Sequence, residues 1–197
     1  YTSALREDVK GMVIGVPRDY IDECAPRTES IVLKLVGKAI EELKTLGARV
    51  EEVKVPTLNL ATIANAVIYY NEFWAGHKSD AAEVLKTGAA QRRARIYLGL
   101  LTNSADYIQA QRVRSRVRAE FGEVFKKVDC LALPCQAGPA PLVKDVGPID
   151  TLFKHVVPEF NGPFNLAGLP TLVVQCGFSE TNLPIALQLV GKPFDEV

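Results

Sequence analysis

The run Met12-Val13-Ile14-Gly15-Val16-Pro17 is wholly apolar and closed by a proline. A strand with no polar face has no side to turn to water, so it belongs in a sheet covered on both faces, the parallel kind. From about Thr28 to Leu46, Ile31, Leu35, Ile40, Leu43 and Leu46 recur at helical spacing, which predicts a helix with these residues inward. Pro26 near its start and Gly47 near its end fit the usual asymmetry of helix termini. Arg49 to Val55 then alternates, with Val50, Val53 and Val55 as β-branched members, and predicts a second strand. Strand, helix, strand with short connections is a βαβ unit, expected to be right-handed.

The middle of the chain reads as helical. Leu58 to about His77 is rich in Ala, Ile and aromatics, and a second segment, about Ala81 to Leu101, carries Arg92, Arg93 and Arg95. A third helix is expected to start at a Ser104 N-cap, with Tyr107 where a capping box would want Glu. It runs to Lys127 with Ile108, Val113, Val117, Phe121 and Phe125 inward. Three more strands are expected at Cys130–Leu133, Thr171–Gly177 and Ile185–Val190. Pro134 to Pro170, between the first two, is rich in Gly and Pro and holds only short helical stretches; so long a loop is usually functional or packs over something. Strands alternating with helices define an α/β fold with a mixed or parallel sheet.

Lys plus Arg equals Asp plus Glu at 23 each, so no global charge argues for nucleic acid or an anionic membrane as partner. No apolar run approaches the ~20 residues needed to span a bilayer. Tyr1 to Lys10 are polar and mixed in charge, and are not expected to be a signal peptide. Cys24, Cys130, Cys135 and Cys176 form no C-x-x-C pair. Cys130 and Cys135, five apart in an apparent strand, are expected on opposite faces, so zinc ligation is not expected. Buried free thiols in a reducing cytoplasm account for all four. The chain does not begin with Met, starts in what reads as a linker and stops at Phe194-Asp195-Glu196-Val197, the polar start of a further helix; it is expected to be part of a longer protein.

The residues show no self-sufficient active site. The two histidines, His77 and His155, fall in different elements. A nucleophilic serine needs a tight glycine-flanked turn that exposes its hydroxyl and aims backbone N–H groups at the oxyanion. Among Ser3, Ser30, Ser79, Ser104, Ser115 and Ser179, only Gly177-Phe178-Ser179 comes close, and Glu180-Thr181 follow where a second Gly is needed. Ser179 reads as a turn residue between two strands. Arg112, Arg114, Arg116 and Arg118 step by two, which spreads them around a helix and predicts a solvated surface paired with Glu rather than a nucleic-acid face.

Several stretches resemble, in order, the motifs of the amidase-signature family. Asn161-Gly162-Pro163-Phe164-Asn165-Leu166-Ala167-Gly168-Leu169-Pro170 is similar to its T-x-P-x-N-L-x-G-x-P segment. Pro184-Ile185-Ala186-Leu187-Gln188-Leu189-Val190-Gly191 resembles its P-x-G-L-Q-x-x-G close, and Lys10 to Val16 resembles its L-K-G-x-R-I-G-V strand. Leu46–Val50, Arg95–Gly99 and Ala105–Tyr107 fall in family order between them.

The resemblance implies the C-terminal half of the amidase-signature fold, residues 1–197 forming part of a single domain with a mixed β-sheet covered by helices. It also implies an amidase that cleaves carbon–nitrogen bonds through a serine, a second serine in a cis peptide and a lysine. Those residues belong to the family's N-terminal half, on the order of 200 residues by usual domain size, so no catalytic residue of this chain is expected and the chain alone is expected to be inactive. No metal or other cofactor is implied. A non-catalytic binding module and the A-subunit of a tRNA-dependent glutamine amidotransferase are the rival readings. Those A-subunits recognise glutamine with a Tyr, an Arg and an Asp; Arg95 matches the arginine, but Ala66 and Pro158 stand at the other two positions, which points to another amide. Pro134-Cys135 likewise stands where the family usually has Pro-Thr. Phe73, Trp74, Arg95, Gln136 and Asn161 are the expected pocket residues, with core packing as the plain alternative for Phe73 and Trp74 and loop hydrogen bonding for Asn161 and Asn165. The expected partners are a small amide substrate and the N-terminal half, with self-association through an uncovered sheet edge and no nucleic acid or membrane.

Overall fold

The apolar run becomes the strand β1 (Val13–Val16), whose last three residues are buried. In the computed structural model, which describes residues 8–142, 144 and 159–196, four further strands join it: β2 (Arg49–Glu52), β3 (Cys130–Pro134), β4 (Thr171–Phe178) and β5 (Pro184–Val190). Their order is β2-β1-β3-β5-β4. β1 is parallel to β2 and β3, and β5 is antiparallel to β3 and β4, so the sheet is mixed. Gly15 lies opposite Leu131 in the β1–β3 ladder. A Cβ there would meet Leu131 Cδ2 at 2.8 Å and Val53 Cγ1 at 3.0 Å, so only glycine lets these neighbours close over the strand.

The helices are α1 (Arg18–Cys24), α2 (Ser30–Thr45), α3 (Leu58–Gly76), α4 (Ala81–Thr87), α5 (Ala90–Leu101), α6 (Ser104–Val124) and α7 (Gly162–Ala167). A 3₁₀ turn, Ala25–Arg27, joins α1 to α2 and takes up Pro26. α2 packs on β3, β5 and β4, with Ile40 inward as expected but Val32 and Val36 in place of Ile31 and Leu35. Val32, Val36 and Ile40 are buried, Ile31, Leu35 and Leu43 are half-buried, and Leu46 is exposed. The apolar stripe is wide enough that period alone does not fix its centre. Gly47, at φ +98°, closes α2 as expected: its N–H reaches the Lys44 carbonyl and that of Ala48 the Leu43 carbonyl, a Schellman turn.

Further expectations change. The helix predicted over Ala81–Leu101 is broken between α4 and α5, where Gly88 lies against the Val84 carbonyl with no room for a Cβ. α6 is capped by Asn103, not Ser104: the Asn103 carboxamide accepts from the N–H groups of Ala105 and Asp106, and Asp106 returns a bond to the Asn103 N–H. The box residue is thus Asp106, one position before Tyr107. On α6, Ala110, Val117, Phe121 and Val124 face the core, whereas Ile108 is exposed. The strand expected over Arg49–Val55 ends at Glu52, and Cys135 lies beyond the end of β3. All four cysteines are free thiols.

A continuous core joins the sheet to α2, α3, α6 and α7, with Phe121 and Phe164 fully buried and their ring centroids 5.6 Å apart. A smaller cluster of Ala81, Val84 and Ile96 holds α4 and α5 together, with Phe73 and Trp74 packed against it.

Candidate functional site

The chain runs from β1 to β2 on one side and then on to β3 on the other side of β1. Such a reversal opens a crevice beyond the carboxyl ends of the parallel strands, where open α/β sheets bind ligands. A cavity of about 680 Å³ occupies this end. Arg27, Glu29 and Val32 come from the connection after β1, Cys135 to Pro141 from the one after β3, Pro184 to Ala186 from the start of β5, and Glu159 from the chain before α7. That volume suits a small organic ligand.

Side chains fix Glu159, which lines the cavity, and the adjoining Phe160. The Tyr20 hydroxyl donates to the Glu159 carbonyl, and Gln188 Nε2 donates to the Phe160 carbonyl at 2.8 Å. Burial pushes the pKa of the Tyr20 hydroxyl up, which keeps it protonated as that donor. Gln188 is only 2% exposed, so a polar side chain at the centre of β5 has its use in this one bond. The Glu159 carboxylate, itself buried, pairs with Arg27 Nε and thereby raises the guanidinium pKa further. Cys24, buried in the same corner, has its thiol pushed up to about 11 by burial and then by the charge of Glu159.

The expected pocket residues fall into two groups. Gln136 lines the cavity; Asn161 is not among its lining residues but stands at the N-cap of α7, with Oδ1 4.0 Å from Sγ of the lining residue Cys135 and no capping bond from its side chain. Phe73, Trp74 and Arg95 lie on α3 and α5 instead. Arg95 places its guanidinium over the rings of Tyr69 and Phe73, 5.7 and 5.8 Å from their centroids. Trp74 packs with Ile96 and Val84 in the small cluster. None of these three lines the 680 Å³ cavity among the described residues. Ala66 is half-buried on α3 and Asn165 is exposed on α7; Pro158, His155 and Ser3 lie outside the described residues. His77 ends α3, with Nδ1 3.2 Å from Asp80 Oδ1.

Sequence reasoning missed Tyr20, Arg27, Glu159 and Gln188. Only Gln188 carried a visible signal, an amide inside an otherwise apolar strand. The other three act across 132 to 139 residues of sequence, a distance no local pattern spans.

No described serine is hydrogen-bonded to a lysine or histidine. Ser179 lies in the β4–β5 turn, where its N–H donates to the Leu183 carbonyl at 2.8 Å and its hydroxyl lies 3.0 Å from that of Thr181 and accepts from the Leu183 N–H. Among the arginines, Arg116 pairs with Glu120 and Arg92 with Asp80, whereas Arg114 departs from the expected solvated surface, its Nε being buried. No group of three or more His, Cys, Asp or Glu is placed to hold a metal ion among the described residues.

The model of the Amidase family matches residues 1–197, and the chain belongs to that family. The A-subunit of the glutamyl-tRNA(Gln) amidotransferase of Methanosarcina mazei is 35% identical over the whole chain, and that of Halothermothrix orenii is 33% identical. The chain spans about 45% of the length of these curated relatives. A crystal structure of an amidase superposes with a TM-score of 0.81 at 28% identity, over 98% of this chain and 44% of that one. The corresponding A-subunit of Thermotoga maritima does so with a TM-score of 0.73 at 30% identity, over 97% and 41%. The α/β fold expected from the sequence, a mixed sheet with helices, is therefore that of amidase-signature enzymes.

Proposed function

We propose that the full-length protein hydrolyses carbon–nitrogen amide bonds through a Ser-Ser-Lys site outside residues 1–197, and that this chain completes its sheet and shapes the substrate pocket. The observation that carries this is β4. It is an edge strand, yet Leu172, Val173, Val174 and Phe178 are 61%, 50%, 44% and 53% exposed. An exposed apolar edge is a template for pairing. The relatives have more than half their length outside the matched region, and that portion is the natural cover. The bonding of Ser179 within its turn supports placing the nucleophile elsewhere.

The substrate is a small amide bound where Gln136 and Asn161 approach the reacting group, with Arg95, Phe73 and Trp74 on the helical side. The lack of a tyrosine at Ala66 favours an amide other than glutamine. The partner is the N-terminal half of the same protein, and without it β4 drives self-association. Among the described residues no helix is long and apolar enough to cross a membrane; the cytoplasm is the proposed compartment, where four free thiols persist. The test is turnover of a panel of small amides by the full-length protein. Activity lost on replacing the serines and lysine supports the reading, and activity retained after those replacements contradicts it.

A second reading, a tRNA-dependent amidotransferase A-subunit, is favoured by the names of the curated relatives, 33–36% identical. Glutaminase activity in the presence of partner subunits is its distinguishing result.

A further inference from the structure

We propose that the cavity between the β1 and β3 connections selects ligands bearing a primary amine, bound as the ammonium ion, and that Glu159 is the residue that receives it. This rests on the amidase reading and adds to it the chemistry of one arm of the substrate.

A carboxylate has two oxygens and about four lone-pair sites to satisfy. The Glu159 side chain is 7% exposed. Oε1 is taken by Arg27 Nε. Oε2 is buried and has no hydrogen-bond partner among the described residues. A buried anionic oxygen left bare is costly, and such groups in folded proteins have a partner or a function. Glu159 forms part of the cavity wall. The two oxygens are equivalent, so a ligand ammonium at the wall draws on whichever one Arg27 leaves free.

The remaining charges decide the sign of the ligand. Arg27 is the one cation among the described lining residues, and its Nε is already committed to Glu159. Glu29 adds a second carboxylate. Its Oε1 occupies the space beside Gly138, where a Cβ would meet it at 2.6 Å, so the glycine leaves room for that acid in the cavity. Two carboxylates against one guanidinium leave the described lining with one negative charge in excess, which disfavours an anion and favours a cation. An ammonium group has three donors and no acceptor, which suits Oε2 of Glu159 and the side-chain oxygen of Gln136. Val32, Pro139 and Ile185 offer an apolar wall to its alkyl stem.

The test is calorimetric titration of the full-length protein with n-butylammonium, n-butanol and n-butyrate, repeated on E159Q, which keeps shape and an acceptor for Arg27. The expected result is n-butylammonium binding at least tenfold tighter than n-butanol, no detectable binding of n-butyrate, and loss of the tenfold preference in E159Q. Equal affinity for n-butylammonium and n-butanol in the unaltered protein, or preference for n-butyrate, overturns the proposal without need of a variant. So does an E159Q protein that keeps the preference. If E159Q does not fold, G138A, which displaces the Glu29 carboxylate, is expected to weaken n-butylammonium and leave n-butanol unchanged; an unchanged ratio counts against the site. Turnover separates this from the amidase reading. Amine binding without amide hydrolysis sinks the amidase reading alone. Hydrolysis with equal kcat/KM for amine-bearing and methyl-capped amides sinks the amine site alone.

Discussion

Glu120 of α6 accepts both hydrogen bonds that Thr57 donates at the start of α3: from the backbone N–H at 2.8 Å and from the hydroxyl at 2.5 Å. The two residues are 63 apart in sequence, and Arg116 holds the same carboxylate from one turn away at 3.1 Å. The contact ties two long helices at one end. Burial on its own raises the Glu120 pKa, but the bonds from Thr57 and Arg116 outweigh it and hold the carboxyl below its ordinary value. The stabilisation is therefore complete above the unfolded-state carboxylate range and is lost as pH falls through the lower folded-state value. Thr57→Val is expected to cost about 2 kcal/mol at neutral pH, the usual worth of a hydrogen bond to a charged group. Urea unfolding of the two proteins should converge as pH falls. A gap that stays constant with pH contradicts this role for Glu120.

Gly99 sets the spacing of α3 and α5. A Cβ there would press on the Tyr70 carbonyl oxygen and stand 2.5 Å from the Trp74 Cβ. Backbone cannot give way as a flexible side-chain end can, so Gly99→Ala should destabilise by about 3 kcal/mol, the upper part of the overpacking range. Trp74 is the only tryptophan in the chain, and its emission should shift in the variant. An unshifted spectrum with unchanged stability would mean the helices are not in contact here.

The thiols should differ in reactivity. Burial pushes Cys24 and Cys130 up to about 11, with Glu159 adding to the first and Asp129 to the second. At pH 8 only about a thousandth of such a thiol is thiolate, the reactive form. Alkylation followed by peptide mass should label Cys135 and Cys176 first, and Cys24 and Cys130 only after unfolding. Early labelling of Cys24 contradicts its placement between Tyr20 and Glu159.

The β4 surface separates the chain from the full-length protein. Val173→Lys should change the stability of the isolated chain by no more than about 0.5 kcal/mol, as at ordinary exposed sites. In the full-length protein, a cover over the strand predicts a cost of about 2 kcal/mol or more. Equal effects in both would remove the case for a cover on β4.

β1 and the Gly47 turn were legible because a wholly apolar run and a glycine after a periodic segment each admit few structures. The face of α2 was not, since Leu35 and Val36 are equally apolar and tertiary packing chose between them. Asn103 was overlooked for Ser104 because both residues cap well, and the Asp106 side chain decided the register. Of the pocket residues expected from the family resemblance, Gln136 lies in the cavity lining. Arg27 and Glu159 were out of reach because their pairing joins the connection after β1 to a segment more than a hundred residues later.

The most direct test of the whole account is fluorophosphonate labelling of the active full-length protein, with the modified serine located by peptide mass. The label should fall outside residues 1–197 and abolish amide hydrolysis. Stoichiometric inactivation with the label on Ser3, Ser30, Ser79, Ser104, Ser115 or Ser179 would place the nucleophile in this chain and contradict the reading of it as the sheet-completing, pocket-shaping part.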